Sequence, residues 1–223
     1  MTCDHIQFQV ARRGRRRGSL VLGAATVLLA LASSGCSIFG GDLPARTWYE
    51  LTDLRADAVA ASEAKGSALV LLISPVSESS FYDGTAIAFS RQSGGRAYYQ
   101  YAAWTERPVK RLAQMLEHRL ARRPAFGTVA QATAGVRGDL LLNLRLEEIY
   151  LDAAQPPGSA RVAVTAELLD WRARKVIARQ RFERVATVDG EDSARVAAGF
   201  NRAITGVLDE LTAWLETSSA GLR

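Results

Sequence analysis

Two cysteines and two histidines are spread over 223 residues. That scarcity excludes a disulfide framework, a cysteine zinc site and a multi-histidine metal cluster. The chain has no Gly-rich phosphate loop and no Gly-x-Ser-x-Gly elbow, so nucleotide chemistry and serine hydrolysis have no visible machinery. A long hydrophobic run is missing as well. The longest nearly uncharged apolar stretch, Ser19 to Ala32, is about fourteen residues, whereas roughly 20 are needed to cross the hydrocarbon. Aromatic residues make up only 8% of the chain, yet they cluster around positions 81–104.

What is present begins with charge. The formal balance is +5, from 28 Lys+Arg against 23 Asp+Glu, which by itself suggests an anionic partner. Five of the arginines (Arg12, Arg13, Arg15, Arg16 and Arg17) precede the apolar run, and Ser33-Ser34-Gly35-Cys36 follows it. A basic segment, a short apolar segment and small residues form a secretory signal peptide. Leu31-Ala-Ser-Ser-Gly-Cys36 resembles a bacterial lipobox, departing from it at Ser33, where an aliphatic residue is usual. The expectation is cleavage between Gly35 and Cys36, with lipid carried on Cys36. Two or more acyl chains such as palmitate anchor a protein stably, where one alone holds it marginally. Ser37 is not the aspartate that resembles an inner-membrane retention signal, which favours the periplasmic face of the outer membrane. Arg16-Arg17-Gly18-Ser19-Leu20 lacks an aromatic after the pair, so Sec export is expected in preference to Tat.

Removing residues 1–35 takes away those five arginines and Asp4, which leaves a mature chain near +1. The basic character belongs to the leader, and nucleic acid drops out as a partner because the chain leaves the cytoplasm. Only His118 remains for a histidine-dependent hydrolase. It falls off the Val109, Leu112, Leu116, Leu120 stripe and reads as a surface residue.

The mature sequence predicts a tether over residues 36–45, a domain over 46–217 and a tail over 218–223. Residues 46–52 read as a strand, 53–66 as a loop, and 67–76 as a central strand ending at Pro75. Thr85 to Arg91 and Arg96 to Tyr101 form a hairpin around Gln92-Ser-Gly-Gly95. A helix follows, with Thr105 as N-cap, Trp104 stapled onto Val109 and Pro108 in the first turn, ending near Arg122-Arg123-Pro124. Leu140 to Leu151 alternates with a phase shift at Glu147-Glu148, the mark of a bulge, and pairs with Val162 to Leu168 and then Val176 to Val188. Asp192 or Ser193 caps a closing helix with Val196, Phe200, Ile204, Val207, Leu208, Leu211 and Leu215 on one stripe. The order implies an α+β fold, an antiparallel sheet with two helices packed on one face.

With these elements in view the sequence resembles the ABC-type transport auxiliary lipoprotein family, the PqiC-like group. The resemblance rests on the lipobox-like cysteine, Trp48-Tyr49-Glu50-Leu51, Phe81-Tyr82-Asp83-Gly84 leading into Ile87-Ala-Phe-Ser-Arg91, and above all Tyr98-Tyr-Gln-Tyr-Ala-Ala-Trp104 running into Glu106-Arg-Pro-Val109. It implies an outer-membrane-anchored periplasmic subunit that works beside an MCE-domain protein and an ABC transporter in lipid transport between membranes, and so in membrane integrity. No catalytic residue, cofactor or metal is implied. Tyr82, Tyr98, Tyr99 and Tyr101 are candidate partner contacts, since tyrosine is enriched in interface hot spots, and self-association is open. Two other readings stand beside this one: a scaffold for another envelope assembly machinery, and a periplasmic enzyme using the Glu147, Glu148 pair, whose neighbours on a strand face apart unless a bulge turns them together.

Overall fold

The structure is a computed structural model and describes residues 45–56 and 67–222. Gly35, Cys36, the signal peptide, all but the last residue of the expected tether and most of the 53–66 loop lie outside the described residues.

Among the described residues eight strands and two α-helices follow in the order β1 (Thr47–Tyr49), β2 (Val70–Ser77), β3 (Ala86–Ser90), β4 (Ala97–Trp104), α1 (Pro108–Ala121), β5 (Thr128–Gln131), β6 (Leu140–Asp152), β7 (Gly158–Asp170), β8 (Lys175–Val188) and α2 (Ser193–Ser219). The eight strands form one sheet, but it is mixed and not the antiparallel sheet expected. β3/β4, β6/β7 and β7/β8 are antiparallel, while β1/β4, β2/β5, β2/β6 and β3/β6 are parallel. Hairpins can join only antiparallel neighbours. The connections from β2 to β5 and from β2 or β3 to β6 all carry α1, and the strands they join run parallel.

β6 is the spine. β7 runs along one edge for its whole length, while β2 pairs with residues 140–146 and β3 with Leu151 and Asp152. Leu142, Leu144, Leu146, Val162, Val164 and Phe182 turn toward the core. α1 packs against β2, β5 and β6, α2 packs against β7 and β8, and the helices touch each other. The expected bulge is present as a register shift between Leu146 and Glu148.

Three local expectations are corrected. β2 continues through Pro75 to Ser77, with Pro75 paired only to Leu144 of β6. The β5 ladder stops at Ile73, so the missing N–H falls where no second neighbour needs it. The N-cap of α1 is Arg107, without a side-chain bond, and Pro108 is the first helical residue. The Thr105 N–H donates instead to the Tyr49 carbonyl at 2.9 Å, which ties Thr105 to the end of β1. Trp104 is therefore a core residue of β4, edge-on to Phe200 with centroids 5.4 Å apart. The third correction concerns β1, which ends at Tyr49 and not at Thr52; Leu51 then turns into the core.

The closing helix follows its pattern. Asp192 Oδ1 accepts from the N–H groups of Ala194 and Arg195 at 3.1 and 3.2 Å, and all seven stripe residues are buried. Gly199 faces β8 so closely that a Cβ would lie 2.4 Å from Val188 Cγ2. An exposed helical Gly→Ala change stabilises by about 1 kcal/mol. Here overpacking against a stiff, buried valine costs about 1–3 kcal/mol, so Gly199→Ala should lower the thermal midpoint in a calorimetric scan.

Candidate functional site

The aromatic segment divides between the fold and the surface. The 3-10 turn Ser80–Tyr82 follows β2 and is capped by Ser79, whose hydroxyl accepts from the Phe81 N–H. It carries Phe81 to the Tyr98 ring, stacked at 4.3 Å with planes 16° apart. The Tyr98 hydroxyl donates to the Phe81 carbonyl at 2.7 Å, which fixes the pair while the Tyr98 side chain stays 42% exposed. Tyr82 is buried, edge-on to Phe81, and its hydroxyl accepts from Arg96 Nε at 3.1 Å. Arg96 also lies 3.7 Å from the Tyr150 ring centroid, an arrangement that holds a guanidinium by cation–π attraction.

Tyr99, the next residue along, packs edge-on to Phe89 and donates to the Glu191 carbonyl at 3.1 Å. Burial, then the nearby Glu191 charge, push its phenol up to about 12. Tyr101 is exposed and makes no side-chain hydrogen bond among the described residues. Tyr82 and Tyr99 are therefore tied up in the fold, and Tyr98 and Tyr101 remain as candidate contacts. A register shift between Ala86 and Ala88 in the β3/β4 pairing interrupts the alternation of β4, so strand periodicity alone does not sort these rings.

A groove of about 490 Å³ lies between the end of β2 and the first turns of α1, and Asp83, just after the 3-10 turn, is in its lining. Ile73, Pro75, Val76 and Val109 form its apolar wall, and Asp83 and Arg107, 3.6 Å apart, lie on its polar side. Sequence reasoning missed this groove because Val76 reads as a strand residue and its exposure depends on where β5 ends.

The Glu147, Glu148 pair has different work. The bulge brings both to the helix-free face. Glu147 accepts from the Thr165 hydroxyl at 2.5 Å and from Arg181 Nε at 2.6 Å, while Glu148 lies 3.8 Å from Arg96. Burial raises the Glu147 pKa, but Thr165 and Arg181 outweigh it, and the carboxyl sits below its usual value. Such a group is held ionised and is badly placed to donate a proton. His118 is exposed, as its position off the stripe predicts. Among the described residues, no group of three or more His, Cys, Asp or Glu could hold a metal ion.

The family model of the ABC-type transport auxiliary lipoprotein component matches residues 49–212. The chain belongs to this family. An auxiliary lipoprotein of ABC-type transport is a transport accessory held by lipid to a membrane of the cell envelope. A protein of Xanthomonas campestris, of the family DUF330, has a similar solved structure. Its TM-score is 0.69 at 24% identity, over 78% of this chain and 97% of that one. An uncharacterized protein has a TM-score of 0.55 at 11% identity, over 80% of this chain and 96% of its own. At these identities the likeness shows the fold alone. The search of curated proteins found no match. The family match begins at Tyr49 and ends within α2, so it spans both the aromatic segment and the groove.

Proposed function

We propose that this auxiliary lipoprotein is an outer-membrane-anchored periplasmic subunit of an ABC/MCE-type intermembrane lipid transport system, a docking component without catalysis. The observation that carries the reading is the lipobox-like Cys36, nine residues ahead of Ala45, joined to a domain of the auxiliary lipoprotein family. A tether of about nine residues reaches only a few nanometres from the bilayer. The domain therefore docks a longer partner and does not itself bridge the two membranes.

The docking surface assigned here is the stacked Tyr98 and Phe81 pair with the neighbouring Val76 groove and exposed Tyr101. Ordered aromatic rings offer contact area at little cost in side-chain entropy. Tyr98→Ala combined with Tyr101→Ala should weaken capture of the MCE-domain partner at least tenfold, as expected for hot-spot truncation. Tyr99→Phe, which removes one internal hydrogen bond, should leave capture unchanged. Full capture by the double variant, with an unchanged circular dichroism spectrum, would remove this surface from the account.

A further inference from the structure

At the end of the sheet remote from β1, the β7–β8 turn presents a second surface that the docking role does not use. Residues 171–176 are exposed without interruption. Trp171 is 50% exposed, Val176 49%, and Val136 on the loop before β6 is 48% exposed. Four basic residues, Arg137, Arg172, Arg174 and Lys175, accompany them, against two acidic ones, Asp139 and Asp170.

Both acids are occupied in holding the turn. Asp139 pairs with Arg172 at 2.5 Å and accepts from the Val70 N–H at 2.9 Å; Asp170 accepts from the Ala173 N–H at 2.8 Å. The Trp171 N–H is bound to the Asp139 carbonyl at 2.9 Å. The backbone is thus pinned to β2 and β6 while the indole is left outside. Arg137, Arg174 and Lys175 make no ion pair among the described residues. The exposed indole thus shares its turn with cations that carry no counter-charge among the described residues.

We propose that the Trp171–Lys175 turn is a contact site for the anionic phospholipid surface of the bilayer that carries the lipid anchor. Tryptophan favours the headgroup level of a bilayer, and basic residues beside it are drawn by anionic lipid. Chain connectivity agrees with this occupant. β6 has 13 residues, about 43 Å of strand. The turn lies at its first residue, because Leu140 pairs with Asp170. β1 belongs to the other end, because it pairs with β4, β4 with β3, and β3 with Leu151 and Asp152. A stretch of nine residues, the separation in sequence of Cys36 and Ala45, spans at most about 30 Å. Contact at the far turn lays the domain along the surface, held at two points, with the aromatic platform kept at a fixed height for its partner.

The location of the bilayer rests on the lipoprotein reading, but the binding itself does not. The test uses the full mature chain, residues 36–223, carrying Cys36→Ser so that no acyl group contributes, with phosphatidylcholine vesicles containing 30% phosphatidylglycerol. Binding is expected at low ionic strength and should fall about tenfold or more on raising salt to 0.5 M or omitting the anionic lipid. Arg137→Glu with Lys175→Glu should reduce it by about tenfold or more. Trp171→Phe should abolish most of the quenching that brominated lipid causes in the parent. These side chains are exposed, so circular dichroism should show both variants folded. Equal binding by the parent and the charge-reversed variant, or no binding to any vesicle, overturns the proposal. So does loss of partner capture by the charge-reversed variant with no vesicle binding in the parent, which would assign the turn to an acidic protein surface.

Discussion

Replacing Arg119 with methionine is expected to destabilise the domain by about 3–5 kcal/mol, the cost of leaving one member of a buried ion pair without its partner. Arg119 lies on the last turn of α1 with 2% of its side chain exposed, and the Asp53 side chain is 3% exposed. The guanidinium holds Asp53 through Nε and Nη2 and reaches Asp209 of α2 through Nη1 at 2.6 Å. Arg55 meets the same Asp209 at 2.7 Å. One side chain thus joins α1, α2 and the segment after β1. Methionine fills similar space but leaves the Asp53 carboxylate unpaired in the core. The double variant Arg119→Met with Asp53→Leu should regain most of the loss, because a well-packed apolar pair often matches a buried ionic one. A double-mutant cycle in urea measures the coupling directly.

The same pair sets an acid limit. Burial raises the Asp53 pKa, but hydrogen bonds from Arg119 and the Arg55 N–H, with the Arg119 charge, bring it below its usual 3.8. A carboxyl depressed in the folded state contributes stability that is fully present above its unfolded pKa and is lost as pH falls through the lower folded value. The stability of the parent should therefore fall below about pH 4. In Asp53→Asn that part of the slope should be missing.

Cys36→Ser, exported behind a leader whose cleavage does not depend on lipid, is expected to move the protein from the membrane fraction to the soluble periplasm almost completely. Each buried methylene contributes about 0.8 kcal/mol to anchoring, so a diacyl group exceeds by far what one exposed turn contributes. Fractionation with carbonate washing reads the change. Intact mass of the parent, extracted in detergent, should show chain 36–223 with lipid on Cys36. An uncleaved chain retaining residues 1–35 would contradict both the processing and the anchor.

Much of this architecture was legible in the pattern of side chains. The α2 stripe and its Asp192 cap, the β3–β4 hairpin and the Glu147 bulge each follow from local spacing, because each is settled within a few residues. The parallel pairings were not legible, since neither the apolar run of β2 nor the alternation of β6 says in which direction a neighbouring strand runs. β5, at four residues, is too short to carry a period. Asp53 and Arg119 are 66 residues apart, and nothing local marks them as partners. The candidate contacts fared similarly. Tyrosine content drew attention to Tyr82, Tyr98, Tyr99 and Tyr101, but only the geometry separates the two that hold the fold from the two that face out. Trp171 shows the same limit: its exposure depends on Asp139 gripping the turn from another loop.

The most direct measurement is photo-crosslinking in intact cells from a benzophenone side chain placed at position 98. The account predicts one dominant adduct, an MCE-domain protein, and a weaker adduct when the side chain is placed at position 99. Equal adducts from both positions, or a dominant adduct with a different envelope machinery, would contradict the docking role.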